Sequence, residues 1–177
     1  ENAVTRIPPA STYKIYAALH ALETGVITPE QSLLSWNGIS YPYASWNRDQ
    51  TLESAMENSV TWYFQTLDLQ MGAASIAQFI REIGYGNQTA DGNLASYWYD
   101  STLKISPVEQ VELLRKFHDG ALPSSPENSQ TVKDAICLAS LENGTLYGKT
   151  GTSSTDGKNT LGWFIGYIES EDNVCYF

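Results

Sequence analysis

Leu146-Tyr147-Gly148-Lys149-Thr150-Gly151 and Leu161-Gly162-Trp163-Phe164-Ile165-Gly166-Tyr167-Ile168-Glu169 read as two strands. The stretch between them includes Ser153-Ser154-Thr155-Asp156-Gly157-Lys158-Asn159, whose Asp-Gly is hairpin chemistry. Residues 173–177 begin a third strand-like run. Upstream the period changes. Ile15, Ala18, Leu19 and Leu22 recur at helical spacing, which predicts a helix over 11–24 with Gly25 as its C-cap. Further helices are predicted at 51–68, 73–83 and 106–118. The last of these opens with the capping box Ser106-Pro107-Val108-Glu109. Pro8-Pro9-Ala10 is an extended lead-in, and 26–50 reads as an ordered loop region of turns and aromatics. Residues 120–128 form a turn-rich connection, followed by a short helix to about residue 140 that carries Cys137. Helices followed by an antiparallel sheet give α+β layers. The chain ends inside a strand-like run, so further material is expected beyond both ends.

Length and composition fit that outline. At 177 residues the chain is expected to form one domain, with 42% hydrophobic and 17% charged residues, which excludes a disordered or coiled-coil chain. Ten basic residues against twenty acidic give a net charge of −10, spread along the sequence, which disfavours nucleic acid and a polybasic membrane contact. No apolar run is long enough to span a bilayer. Cys137 and Cys175 are too few for a disulfide framework or a zinc site and are expected as buried free thiols. Twenty-one aromatics, eleven of them Tyr, favour a concave and partly polar surface.

Three short motifs carry the chemistry. Ser11-Thr12-Tyr13-Lys14 opens the first helix, and its three-residue step puts a hydroxyl and an amine on one helical face. A Ser there is also an ordinary cap, and Lys serves as its base only when burial or neighbours keep it neutral. Lys149-Thr150-Gly151-Thr152 lies on a strand. A cation followed by two hydroxyls suits a carboxylate, and Gly inside a strand invites close backbone approach, although an edge-strand Lys is the plainer reading. Ser59-Val60-Thr61 means nothing alone. Together and in this order, 48 and then 90 residues apart, the three are far more specific.

At this point the chain resembles the penicillin-binding and β-lactamase superfamily, and within it the class D branch. Trp46-Asn47-Arg48-Asp49-Gln50-Thr51-Leu52, Tyr85-Gly86-Asn87 and Trp98-Tyr99-Asp100-Ser101-Thr102-Leu103-Lys104-Ile105-Ser106 are similar to runs of that branch. Five co-linear motifs extend the likeness from about Pro9 to Phe177. The resemblance implies an α/β fold of the class D type, with an antiparallel sheet flanked by helices and a mostly helical insertion. Two subfamilies share the motifs: class D β-lactamases, and the sensor domains of BlaR/MecR-type β-lactam transducers. Class D enzymes typically have Val in the third place of the central motif. Here it is Thr61, followed by Trp62-Tyr63-Phe64, which is more like the sensors. A transpeptidase is a third reading, weakened by the absence of Asn from that place, where those enzymes commonly have one.

The likeness implies the following roles. Ser11 is the nucleophile acylated by penicillins and cephalosporins, Lys14 its base, and Ser59 the relay to the lactam nitrogen. Lys149 and Thr150 hold the ligand carboxylate, the backbone N–H groups of Ser11 and Thr152 form the oxyanion hole, and Thr61 and Trp98 contact the ligand. No cofactor is implied beyond a carbamate that carbon dioxide forms on Lys14 in the enzymes. The sensor reading places the domain on the extracellular face of a bacterial membrane, joined to membrane and protease portions of the same parent chain. The enzyme reading is a class D β-lactamase that hydrolyses the same drugs. His20 and His118 lack the setting of a Ser-His-Asp site and are expected to be structural or exposed. The Asn87 and Asn143 sequons are not expected to be glycosylated, and Asp49, Glu53 and Glu57 are read as surface or helix-start charges.

Overall fold

The computed structural model describes residues 2–99, 102–155 and 158–177. A 3₁₀ turn at Ala10–Tyr13 runs directly into helix α1 (Lys14–Glu23), and every residue of α1 from Lys14 to Leu22 is buried. A helix buried on all sides belongs at the centre of a fold. Helices α2 (Leu52–Glu57), α3 (Thr61–Met71), α4 (Ala73–Glu82), α5 (Pro107–His118) and α6 (Pro126–Ala135) surround it. The sheet follows in chain order as β1 (Cys137–Leu141), β2 (Gly144–Thr155), β3 (Lys158–Glu169) and β4 (Val174–Tyr176), antiparallel throughout.

The hairpin read from sequence is the spine of this sheet. Lys149 pairs with Ile165 and Gly151 with Trp163, and the register closes at Thr155 opposite Lys158. The two-residue connection itself, Asp156-Gly157, lies outside the described residues. Ile165 and Tyr167 face the helices and are buried, whereas Phe164 and Ile168 are exposed on the other face. The capping box of α5 is present, with Ser106 Oγ accepting from the Glu109 N–H and Glu109 accepting from the Ser106 N–H. Glu109 also takes Arg6 at 2.6 Å, and this contact holds its carboxyl down at about 2. Ile7 pairs with Ile105, so the N-terminal lead-in is strapped along α5.

Three expectations are corrected. The helix predicted over 51–68 is two helices, because α2 ends in a Schellman turn: the Val60 N–H bonds the Ala55 carbonyl and the Ser59 N–H the Met56 carbonyl. The helix predicted to run to about residue 140 stops at Ala135. From Cys137 the chain pairs with β2, where long-range ladder bonds outweigh a weak local helical preference. Both cysteines are free, but they are exposed and not buried: Cys175 pairs with the exposed Ile168 on the outer face of the sheet, and Cys137 opens β1, the first strand in the sheet order. Among the described residues, no helix is long and apolar enough to cross a membrane.

Candidate active site

The segment before Ser11 is held in an uncommon shape. Ala10 sits at φ +49°, a conformation that L side chains rarely adopt. Three neighbours pin it: the Ala10 N–H donates to the Trp98 carbonyl at 3.0 Å, Trp163 Nε1 to the Pro8 carbonyl at 2.9 Å, and Thr12 Oγ1 to the Pro9 carbonyl at 2.7 Å. Gln110 of α5 in turn donates to Thr12 Oγ1 at 2.8 Å. In a 3₁₀ turn residues i and i+3 eclipse, so Ser11 and Lys14 stack along one edge. Ser11 lines a cavity of about 350 Å³, a size that admits a small organic ligand, and Lys14 is fully buried beneath it.

Gly151 explains why β2 can lie against this turn. A Cβ there would come within 3.1 Å of the Pro9 carbonyl oxygen and 3.2 Å of the Ser11 nitrogen. The close approach anticipated at this glycine is thus made by the chain's own backbone. Lys149 is on an interior strand, which removes the edge-strand reading.

Ser59 joins the two lysines. It occupies the αL position of the Schellman turn at φ +51°, where glycine is usual. Lys14 Nζ donates to the Ser59 carbonyl at 2.6 Å, Ser59 Oγ at 3.1 Å and Thr61 Oγ1 at 3.2 Å. Lys149 Nζ donates to the same Ser59 Oγ at 3.0 Å. Burial, and then the charge of Lys149, push the Lys14 amine well below its ordinary value, while burial brings Lys149 down to about 8. The ring faces of Phe64 and Trp98 lie 5.3 and 5.5 Å from Lys14 Nζ. A lysine so placed has a neutral form within reach and can take a proton from a hydroxyl.

Residues 2–177 match the penicillin binding protein transpeptidase domain. The chain belongs to that family. It is 47% identical over its full length to the regulatory protein BlaR1 of Bacillus licheniformis, and spans 29% of the length of that relative. The C-terminal domain of the B. licheniformis BlaR penicillin-receptor superimposes with a TM-score of 0.94 at 47% identity, covering 98% of this chain and 70% of the receptor domain. A class D β-lactamase from Nostoc matches with a TM-score of 0.94 at 34% identity, covering 99% of this chain and 74% of the enzyme. The fold of this transpeptidase-family chain is therefore class D β-lactamase-like, as the motifs implied.

Of the residues singled out from sequence, Ser11, Ser59, Thr61, Thr150 and Thr152 line the cavity. Lys14 and Lys149 lie buried behind it, joined through Ser59. Trp98 does not face the cavity. It is fully buried, with its Nε1 donating to Asp68 Oδ2 at 2.7 Å, and it walls the lysine instead of a ligand. Asp100 and Ser101, quoted with it, lie outside the described residues.

The other similar runs have structural reasons. Gly86 sits where a Cβ would clash with the Lys104 carbonyl, and Asn87 bridges the Thr102 carbonyl and the Lys104 N–H. In the run beginning at Trp46, Asn47 exchanges two bonds with the Tyr41 backbone and Asp49 accepts from the Trp36 N–H. Thr51 caps α2, and Trp46 donates to the Asn58 carbonyl as a cavity wall.

Sequence reading missed Tyr43, Ser45, Asn58 and Tyr99 as cavity residues, and Phe64 and Asp68 as walls of the lysine pocket. The surplus of Tyr and Trp in the 36–46 loop was the available signal for the first group. Helical spacing from Thr61 to Phe64 and Asp68 was the signal for the second. His20 is buried against Phe79 and paired with Ser75, and His118 ends α5 against Asp119 and Glu169. Among the described residues, no three His, Cys, Asp or Glu side chains gather as a metal site requires.

Proposed function

We propose that this domain is a receptor for β-lactam antibiotics that is acylated on Ser11 and stays acylated, on the extracellular face of a larger membrane-bound sensor. Lys14 takes the Ser11 hydroxyl proton as Oγ bonds to the lactam carbonyl carbon. Ser59 then gives its hydroxyl proton to the lactam nitrogen as the bond from that nitrogen to the carbonyl carbon breaks, and regains a proton from Lys14 through their 3.1 Å contact, leaving an ester on Ser11 and Lys14 neutral again. Lys149 and Thr150 hold the ligand carboxylate, and the amides of Ser11 and Thr152 receive the oxyanion.

One observation carries the receptor reading over the hydrolase reading. Lys14 Nζ has three oxygen acceptors and two ring faces around it, Thr61 Oγ1 among them at 3.2 Å. Acceptors and π faces suit an amine or ammonium and disfavour the anionic carbamate that a class D hydrolase uses as its base. The Thr61 bond contributes about 0.5–1.5 kcal/mol that Val could not supply. A bias of about 1.4 kcal/mol is tenfold in the carbamate equilibrium, so the rest of the pocket must act with it. Without the carbamate the base left is the Lys14 amine, which the acyl group on Ser11 crowds, so a second water is poorly activated.

Fluorescent penicillin tests the acylation site. Wild type is expected to label covalently and Ser11→Ala not at all. Label persisting in Ser11→Ala on another residue would overturn the assignment.

A further inference from the structure

Asp68 is a fully buried carboxylate that the acylation chemistry above does not use. It lies on α3 in register with Thr61 and Phe64, the i, i+3, i+7 stripe of that helix that faces Lys14. Its Oδ2 accepts the Trp98 indole N–H at 2.7 Å and its Oδ1 the Tyr97 hydroxyl at 3.3 Å. Burial lifts its carboxyl to about 7, against the lowering effect of these two bonds. An indole has one N–H and no other donor, so this bond fixes which part of the ring the lysine meets. Trp98 is further clamped by Tyr13, whose ring stacks at 6.4 Å and 26°, and by Tyr99 edge-on at 6.0 Å.

We propose that Asp68 is a positioning residue for the acylation site: it takes the only donor of Trp98 and so presents Lys14 with the face of the indole and not its N–H. The proposal rests on the reading of Lys14 as the base for Ser11. A ring face is electron-rich and attracts N–H groups and cations, but it repels an anion. Carboxylation adds the neutral amine to carbon dioxide with loss of one proton, giving a carbamate whose oxygens need hydrogen-bond donors. A free indole N–H beside Nζ would be such a donor, and Asp68 withholds it. One helix stripe thereby sets the state of the lysine three ways: an acceptor from Thr61, a ring face from Phe64, and Trp98 held in place by Asp68.

The test compares wild type, Asp68→Asn and Asp68→Leu of this same chain. In the isosteric Asp68→Asn, a neutral acceptor replaces the carboxylate. The Trp98 indole N–H resonance, assigned with Trp98→Phe, is expected to move upfield, and an unmoved resonance would overturn the proposal in a variant that folds. In Asp68→Leu the N–H is released. A carbamate signal on Lys14 is expected with carbon-13 bicarbonate, together with ester loss about tenfold faster than wild type, and Asp68→Asn is expected to fall between the two. A folded Asp68→Leu with no carbamate signal and wild-type ester lifetime would overturn it. Both NMR readouts are independent of acylation. Failure of the underlying reading would show separately, as absence of a penicillin adduct on Ser11.

Discussion

Two amines share one oxygen at Ser59: Lys14 Nζ at 3.1 Å and Lys149 Nζ at 3.0 Å. Two ammonium groups that close, with little water between them, repel, which favours one neutral and one charged lysine. Lys14, the more deeply buried, is the one pushed furthest down, and Lys149 keeps its proton until about pH 8. Under the proposed roles the pH dependence follows in sign. As pH rises through about 8 Lys149 loses its charge, and the contact to a ligand carboxylate weakens from charge-assisted to neutral, a difference of about 1 kcal/mol or more. Acylation by a carboxylate-bearing penicillin, followed as a second-order rate across pH, is expected to fall on an alkaline limb near 8. In Lys149→Arg the cation persists to much higher pH and that limb is expected to disappear. A limb unchanged in Lys149→Arg would assign it to another group and remove Lys149 from carboxylate recognition.

At the scale of elements, the turn between α2 and α3 combines backbone strain with function. The αL position that a glycine would fill without cost is held by Ser59, because the turn is also where both lysines need an acceptor. Ser59→Ala and Ser59→Gly both remove the hydroxyl, so their difference isolates the strain. Ser59→Gly is expected to be more stable than Ser59→Ala by about 1 kcal/mol in urea unfolding, with acylation slowed in both. Equal stability would mean that the turn bears no strain at this residue. The same turn shows what the sequence could not reveal. The periodicity of residues 51–68 runs unbroken through Asn58-Ser59-Val60, and without a Gly or Pro nothing local marks the break. Elements with local chemistry were legible: α5 from its capping box, β2 and β3 from their apolar runs and turn residues. Strand β1 was not, because its pairing with β2 is non-local and replaced a helix-like reading of residues 137–140.

Across the whole molecule, the site was legible as a set of motifs long before any one motif was convincing. Ser11, Ser59 and Lys149 lie far apart in the chain, and the fold brings them around one cavity by laying β2 against the 3₁₀ turn and the α2–α3 turn beneath it. What the motifs could not show was the second ring of residues. Phe64, Asp68 and the inward turn of Trp98 depend on how α3 packs on α1, and a tryptophan named for a ligand contact proved to wall the lysine instead. Class D-like folds hold receptors and hydrolases alike, as the two superimposed structures illustrate. The distinction lies in the fate of the ester, which intact mass spectrometry reads directly. After excess benzylpenicillin is added to the wild-type chain, one covalent adduct per molecule is expected to form and to persist for hours, with no further drug consumed. Return of the unmodified mass while many equivalents of penicillin are hydrolysed would contradict the receptor reading and establish the chain as a class D hydrolase.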